Sequence, residues 1–415
     1  MPTSTDPEVI VIGAGLAGLA CAIHLTDAGR SVVVLEGSNG VGGRVRSDIV
    51  DGFVLDRGFQ VLLTAYPEAK RMLDYEALEL RAFHPGSLVQ IAGERHLVAD
   101  PFRDPKSILA AARAPIGTLA DKARIAWLRR DVQSASIDDL WSRPETTTAE
   151  RLRAAKFSPE IVERFFRPLF TGIQLDPTLQ ASSRMFDFVF RMLADGDNSI
   201  PARGMQAIPD QLAQRLPAHL IRLNASVKTV GDGTVELVGG ELLRAPTIVV
   251  ATDGPAAEGL LGASLPRPGS QSVSCLYFAA AVAPFEERAI LLNGDGASSG
   301  PVNNVCVPSK ISPRYAPGAE HLVSVSVVGP TRVDGVKPVL AQLRSWFGAS
   351  VDGWRHLRTY DIDHAQPTQQ TLSPSQRPVK IRDGLFVCGD HRDSASIHGA
   401  LLSGRRAADA ILTAR

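Results

Sequence analysis

Three glycines and one glutamate near the start of the chain have the types and spacing that bind a dinucleotide. Gly13, Gly15 and Gly18 form a GxGxxG pattern directly after the apolar run VIVI. A buried strand followed by this pattern predicts a tight turn, close approach of the backbone to a diphosphate, and a helix whose first N–H groups face the phosphates. A second apolar run, SVVVL, ends at Glu36. Its carboxylate can accept both hydroxyls of an adenosine ribose and would repel a 2′-phosphate.

A second glycine pair with an arginine follows, at Gly42, Gly43 and Arg44. The glycines let the backbone pass close to a diphosphate, and the arginine supplies a charge-assisted fork to its oxygens. With this spacing the chain resembles the flavin-containing amine oxidase and phytoene desaturase superfamily. The resemblance implies that the cofactor is FAD and that Arg44 contacts its diphosphate.

Two central segments carry the same resemblance. The stretch FVLDRGFQVLL is similar to the family's segment beside the flavin ring, which implies that Gly58, Phe59 and Gln60 lie there. Arg57 stands where many relatives have a smaller apolar residue. The stretch LNASVKTV resembles the family's return to the dinucleotide domain, which implies that Val227 contacts the adenine through its backbone.

The last segment, GLFVCGDHRDSASIHGALLSGRRAADAIL, predicts a strand, a turn and then a helix from about Gly399. It resembles the family's C-terminal FAD signature. The resemblance implies that Gly389 and Asp390 contact the ribityl and phosphate region. It also implies that the helix after Gly399 and Ala400 points its N-terminus at the flavin pyrimidine, where its dipole would stabilise the negative charge of reduced flavin.

Three residues are candidates for catalysis. His398 stands at the entry to the last helix and has the pKa range for proton transfer, although structural hydrogen bonding is the alternative. Gln60 is a candidate because of its implied place beside the flavin. The stretch TYDIDHAQP resembles the family's final substrate-domain strand, which would bring His364 toward the ring; a solvated strand edge is the alternative. No metal site is predicted, because the four cysteines lie far apart without a CxxC pair.

The order of elements predicts an α/β fold, with a Rossmann-like FAD-binding domain and a discontinuous α+β substrate domain of mixed sheet and helical cap. We predict that residues 8–66, 200–262 and 370–415 form the first domain, and that residues 67–199 and 263–369 form the second. Residues 67–199 are predicted to be mainly helical. The phenylalanines of this region either pack with one another or line a tunnel for an apolar substrate.

The composition and the apolar runs of the chain indicate which classes of partner it can bind. Lys plus Arg and Asp plus Glu both number 44 in 415 residues, so no basic field would attract nucleic acid. The first residues lack the blocks of a signal peptide, and no apolar run is long enough to span a membrane. We therefore expect a cytoplasmic protein, with peripheral contact to a membrane left open. The oligomeric state is not predicted.

Together these features predict an FAD-dependent oxidoreductase in which hydride passes between a substrate C–H bond and flavin N5. An apolar small molecule is favoured, in a desaturase-like or saturase-like reaction, because the aromatic pair of monoamine oxidases is not recognisable. Three alternatives stay open: a flavin amine oxidase, an FAD-dependent isomerase without net redox change, and a non-catalytic flavoprotein.

Overall fold

A six-stranded sheet forms the first half of the fold in the computed structural model, which describes residues 6–100, 102–104, 114–265, 269–329, 335–370 and 376–414. Its strands are parallel except for the last, which pairs antiparallel. The central strands are continuous apolar runs, as expected for parallel strands covered on both faces. In spatial order the strands are Ile221–Arg222, Val32–Leu35, Val9–Ile12, Thr247–Val250, Leu385–Val387 and Lys380–Arg382.

The first and last helices pack closely against each other beside this sheet. They are Leu16–Asp27 and Ile397–Thr413. A Cβ atom at Gly404 would lie 2.2 Å from the carbonyl oxygen of Ala17, so only glycine permits the observed approach. This contact joins the two ends of the chain in one dinucleotide-binding fold.

An antiparallel three-stranded sheet and a short helix flank the same fold. The strands are Val227–Val230, Thr234–Leu237 and Leu242–Arg244, and the helix is Gly254–Leu261. Smaller elements connect these parts: the hairpin Ser47–Val50 with Phe53–Asp56, the strands Leu62–Leu63, Arg81–Ala82 and Asn198–Ile200, and the helices Pro67–Met72, Ala207–Ala213 and Pro308–Ile311.

A seven-stranded mixed sheet forms the second half. One of its faces packs on the helix Lys337–Phe347, where Leu343 and Trp346 meet Phe278 in a separate hydrophobic core. In spatial order its strands are Arg355–Pro367, Ser270–Ala280, His321–Val328, Asn304–Cys306, Ile290–Asn293, Gly86–Ile91 and Glu94–Ala99.

A helical cap faces the other side of the seven-stranded sheet. The largest hydrophobic core of the protein runs through this cap and continues into the helices beside the six-stranded sheet. The cap helices are Leu119–Ser134, Ile137–Ser142, Thr148–Ala154, Pro159–Ile161, Arg167–Gln174 and Ser183–Asp195, with a π-helical turn at Val162–Phe166. Within the described ranges, no helix combines the length and the apolar character needed to cross a bilayer.

The predicted fold class is confirmed, and one part of the chain differs from expectation. Residues 67–199 contain the hairpin Gly86–Ile91 with Glu94–Ala99, which extends the mixed sheet, in addition to the cap helices. Ala92 and Gly93, both at positive φ, make its tight turn. The helical prediction missed this hairpin, whose strands GSLVQI and ERHLVA do not alternate regularly between apolar and polar residues. The domain boundaries stay a prediction.

Candidate functional site

A cavity of about 860 Å³ lies between the two large sheets and the helical cap. It brings together segments that are hundreds of residues apart in the chain. The predicted cofactor and ring-side residues in its wall are Gly13, Gly15, Glu36, Gly42, Gly43, Arg44, Gly58, Phe59, Gln60, Val227, Gly389, Asp390 and Ala400. Gly18, Gly399, His364 and His398 are not in this wall.

The three glycines of the first turn have different structural roles. A Cβ atom at Gly18 would lie 1.9 Å from the carbonyl oxygen of Gly13, so this glycine lets the helix sit close on the strand. Gly13 has φ +106°, which favours glycine, and its own Cβ would lie 2.9 Å from the carbonyl oxygen of Ala251. At Gly15 a Cβ would meet nothing within 4 Å. Gly15 therefore presents open backbone to the cavity, as close approach of a diphosphate requires.

Glu36 is held in place by the backbone at the end of the second strand. One carboxylate oxygen accepts the N–H of Ala14 at 2.8 Å, and the other accepts the N–H of Ser38 at 2.8 Å. An ionised carboxylate offers about four lone-pair sites, so two stay available for hydroxyl donors. The side chain is thus oriented before any ligand arrives.

Arg44 joins three segments at the centre of the cavity wall. Its Nη1 donates to the carbonyl oxygen of Ala365 at 2.7 Å, and its Nη2 donates to Oδ1 of Asp390 at 2.7 Å. Burial acts to lower the pKa of Arg44, but the charge and hydrogen bond of Asp390 outweigh burial and raise it. One third of the side chain, 33%, is exposed, and Arg44 lines the cavity. A fixed positive charge therefore faces the space between the first and last segments.

The C-terminal turn closes the same wall. Gly389 has φ +145° and donates its N–H to Oγ of Ser403 at 2.9 Å. The following helix begins at Ile397, with Oγ of Ser396 accepting the N–H of Gly399 at 2.9 Å. A Cβ at Gly399 would lie 2.0 Å from the carbonyl oxygen of Ser394, so the tight helix entry needs glycine. The positive end of this helix dipole abuts the cavity.

The other half of the cavity is an apolar slot between the mixed sheet and two cap helices. Two rows across the sheet form its floor. The strand register pairs Val273 with both Ile362 and Val328, and it pairs Asn304 with both Leu292 and Ser326. The cap supplies the facing wall with Leu169, Ile173, Met185, Val189 and Leu193. We use the term apolar slot for these residues.

Comparison with known proteins identifies the family. The model of the flavin containing amine oxidoreductases matches residues 16–412. The chain belongs to this family. Putrescine oxidase from Kocuria rosea is 28% identical over 258 residues, which is 56% of this chain and 51% of that protein. Hydroxysqualene dehydroxylase from Rhodopseudomonas palustris is 28% identical over 451 residues, covering 98% of each chain.

The chain spans about half, or less, of the length of the first curated relatives that it matches. Solved structures support the fold. An oxidoreductase from Methanosarcina mazei has a TM-score of 0.75 at 18% identity, covering 97% of this chain and 99% of that one. A putrescine oxidase variant has a TM-score of 0.71 at 18% identity, covering 99% of both.

Membership in the flavin containing amine oxidoreductases confirms the predicted FAD cofactor and the oxidoreductase class. The cavity fits FAD on its own chemistry as well. Gly15 and Gly43 would lie against the diphosphate, Glu36 would accept the ribose hydroxyls, and Arg44 would neutralise phosphate charge. These residue roles stay proposals, whereas the open Cβ position, the free lone pairs and the fixed cation are features of the structure.

His398 lies behind the cavity wall, and its catalytic role stays a prediction. Its Nδ1 accepts the backbone N–H of Glu68 at 3.3 Å, and its ring stacks on Tyr66 with centroids 5.8 Å apart. Phe188 packs on it at 5.3 Å. This geometry corresponds to the structural alternative considered from the sequence.

The buried setting of His398 predicts a pH dependence of stability. Burial, the main cause, lowers its pKa to about 4 although Glu68 acts in the opposite direction, so the folded protein keeps the ring neutral. The unfolded chain takes up a proton near the ordinary value of 6.5. Stability is therefore present above about pH 6.5 and lost as pH falls through about 4, by roughly 3 kcal/mol for this group.

The contribution of His398 to the pH dependence of stability is measured by urea unfolding at about pH 7 and about pH 4.5. The variants are His398→Gln and the control His219→Gln, whose side chain is exposed in the wild type. We expect the loss of unfolding free energy on acidification to shrink in His398→Gln alone. An unchanged loss in that variant would contradict the assignment.

The remaining catalytic candidates lie nearer the cofactor segments. Gln60 lines the cavity, and its Nε2 donates to the carbonyl oxygens of Arg44 at 2.9 Å and Arg57 at 3.2 Å. His364 lines a small cleft beside Arg44, Asp253 and Asp390. Whether either acts in catalysis stays a prediction.

The phenylalanines of the cap mostly face one another. The ring centroids of Phe170 and Phe186 are 4.5 Å apart, and those of Phe157 and Phe166 are 4.7 Å apart. The cavity wall contains none of the cap phenylalanines. Sequence reasoning missed the aliphatic residues that do line it. Met185, Val189 and Leu193 lie four residues apart on one helix, which is the signal that could have indicated this face.

Proposed function

We propose that this protein is an FAD-dependent oxidoreductase that acts at a C–H bond of an apolar small molecule, as desaturases and saturases do. The observation that carries the proposal is the apolar slot, which is continuous with the predicted cofactor segments in one cavity. The side chains of the slot are apolar except for Asn304 and Ser326. Such a slot favours a ligand that gains free energy by leaving water.

FAD, when bound, supplies the hydride chemistry of its isoalloxazine ring. The protein's own residues orient the cofactor and the substrate, and they exclude water. Glu36 and Arg44 fix the position of the cofactor's adenosine and phosphate parts, and the helix beginning at Ile397 favours negative charge at its N-terminus. The slot excludes water and holds the substrate in one orientation, which needs no acid or base in its wall.

A charge placed in the slot is expected to weaken the binding of apolar molecules without loss of FAD. Leu169→Asp puts a carboxylate into the cap wall, and burying an apolar ligand against it is costly. We expect the affinity for 1-dodecanol, followed by the shift of the flavin's visible absorption band, to fall at least tenfold, or about 1.4 kcal/mol.

The matched control is Leu242→Asp, at a side chain that is 62% exposed and lies outside the cavity wall. It should bind 1-dodecanol like the wild type, and FAD content should be equal in all three proteins. Equal affinity of Leu169→Asp and wild type would count against the slot as the substrate site.

Amine oxidation is the second candidate, favoured by the similarity to putrescine oxidase. An amine substrate is charged, and the slot supplies no carboxylate to pair with it. Titration with putrescine separates the two functions. A saturable spectral change with putrescine and none with 1-dodecanol would favour amine oxidation, and the reverse would favour an apolar substrate.

A further inference from the structure

We propose that Arg57 binds a carboxylate at one end of an otherwise apolar substrate. The inference rests on the proposed function and deepens it, because it adds a second chemical feature to the substrate class. Arg57 lines the cavity, between the hairpin that ends at Asp56 and the ring-side residue Gly58.

The guanidinium of Arg57 is held by one edge only. Its Nε donates to Oδ2 of Asp48 at 3.1 Å, and its Nη2 donates to Oδ1 of Asp48 at 2.9 Å. This pair occupies two of the five N–H donors of an arginine. No other hydrogen-bond acceptor for the guanidinium of Arg57 occurs among the residues that the structure describes. The end-on fork formed by Nη1 and Nη2 is thus oriented and available, in the geometry that matches a carboxylate.

The neighbourhood of Arg57 carries an excess of positive charge. Asp48 also accepts hydrogen bonds from Nη1 of Arg358 at 3.4 Å and from Oη of Tyr360 at 2.7 Å. Two guanidinium groups therefore share one carboxylate. The hydrogen bond from Arg57, the largest cause, lowers the pKa of Asp48, so the cluster keeps a net charge near +1 at neutral pH. An anion at the free fork would balance it.

The backbone next to Arg57 abuts the floor of the apolar slot, and Arg57 lines the same cavity. A Cβ atom at the adjacent Gly58 would come within 2.8 Å of Cδ1 of Ile362, which belongs to the slot floor. The other charged residues of the cavity wall belong to the segments predicted to bind the cofactor: Glu36, Arg44, Lys228, Asp253 and Asp390. A cation at the end of an apolar surface is the complement of a molecule with a long apolar body and one anionic end.

The competing role for Arg57 is structural, since its pair with Asp48 also fastens the hairpin Ser47–Val50 with Phe53–Asp56. Arg358 offers a matched control. It bonds to the same Asp48 but lies outside the cavity wall, so Arg358→Met weakens the cluster without removing the free fork. If the role of Arg57 were structural only, Arg57→Met and Arg358→Met would bind ligands alike.

The experiment titrates FAD-loaded protein with dodecanoate and with 1-dodecanol, at a pH where the acid is ionised, and follows the flavin absorption band. We expect the wild type to bind dodecanoate about tenfold or more tightly than the alcohol, from hydrogen bonds to a charged group. Arg57→Met should lose this preference and keep the affinity for 1-dodecanol. Arg358→Met should keep the preference, and all three should contain equal FAD.

The results that would overturn the inference fall into two groups, and the groups differ in what else they overturn. If 1-dodecanol binds but the wild type shows no preference for dodecanoate, or if Arg57→Met keeps the preference or loses FAD, the role of Arg57 fails and the apolar slot stands. If neither probe perturbs the flavin of the wild type, the proposed function fails and the inference fails with it.

Discussion

Replacing Arg44 with alanine is expected to yield protein that is purified without FAD. The change removes the cation that we assign to the diphosphate and leaves Asp390 unpaired, with only 7% of its side chain exposed. Removing one partner of a buried ion pair lowers the free energy of unfolding by about 3 kcal/mol or more. We take the low end of this range because one third of the Arg44 side chain is exposed. The affinity for FAD should fall at least a hundredfold, since the cofactor contact is lost as well.

The control is Arg46→Ala, two residues along the same loop. Arg46 donates to Oγ of Ser38 at 3.2 Å and to Oδ1 of Asn39 at 3.0 Å, outside the cavity wall. The loss of FAD is measured in two ways. The flavin released from each purified variant gives its FAD content, and titration after reconstitution gives the dissociation constant. Full FAD occupancy in Arg44→Ala would contradict the assigned role.

Two glycine substitutions should separate folding from cofactor binding. Gly18→Ala places a Cβ 1.9 Å from the carbonyl oxygen of Gly13, so helix and strand must move apart. We expect it to lower the free energy of unfolding by about 3 kcal/mol, the upper range for overpacking. Gly15→Ala adds a methyl group that meets nothing within 4 Å. Its cofactor-free stability should be unchanged, whereas its FAD affinity should fall at least tenfold.

Urea unfolding of the cofactor-free proteins and titration with FAD test the pair together. The contrast between the variants is the informative result, because both change glycine to alanine within one turn. A Gly15→Ala protein that binds FAD like the wild type would show that the diphosphate does not approach this part of the backbone.

The glycine-lined side of the cavity, where we propose that the cofactor binds, could be predicted from the sequence because its signals are local. Strand, glycine turn, helix and Glu36 follow one another within a few dozen residues, and each type has one physical reason at its position. The C-terminal turn at Gly389 follows the same logic. The structure brings these segments to one cavity wall, as the resemblance to the superfamily implies.

The floor of the apolar slot could not be predicted because it depends on pairing between distant strands. Alternation in one strand tells which residues share a face, but it does not tell that Val273 pairs with Ile362 on one side and Val328 on the other. The position of His398 had a usable signal. Helical spacing places Ile397 and Ala400 on one side of the last helix, and these line the cavity, whereas His398 turns toward Tyr66.

An experimental structure of the FAD-loaded protein is the most direct test of the central claim, which is that one cavity holds the cofactor at its glycine-lined end and the substrate in its apolar slot. We expect density for the ribose at Glu36, for the diphosphate beside Gly15 and Arg44, and for the ring next to Gly58 at the entrance to the slot. Density that places the isoalloxazine ring away from the slot, with Glu36 and Arg44 not in contact with the cofactor, would contradict the account.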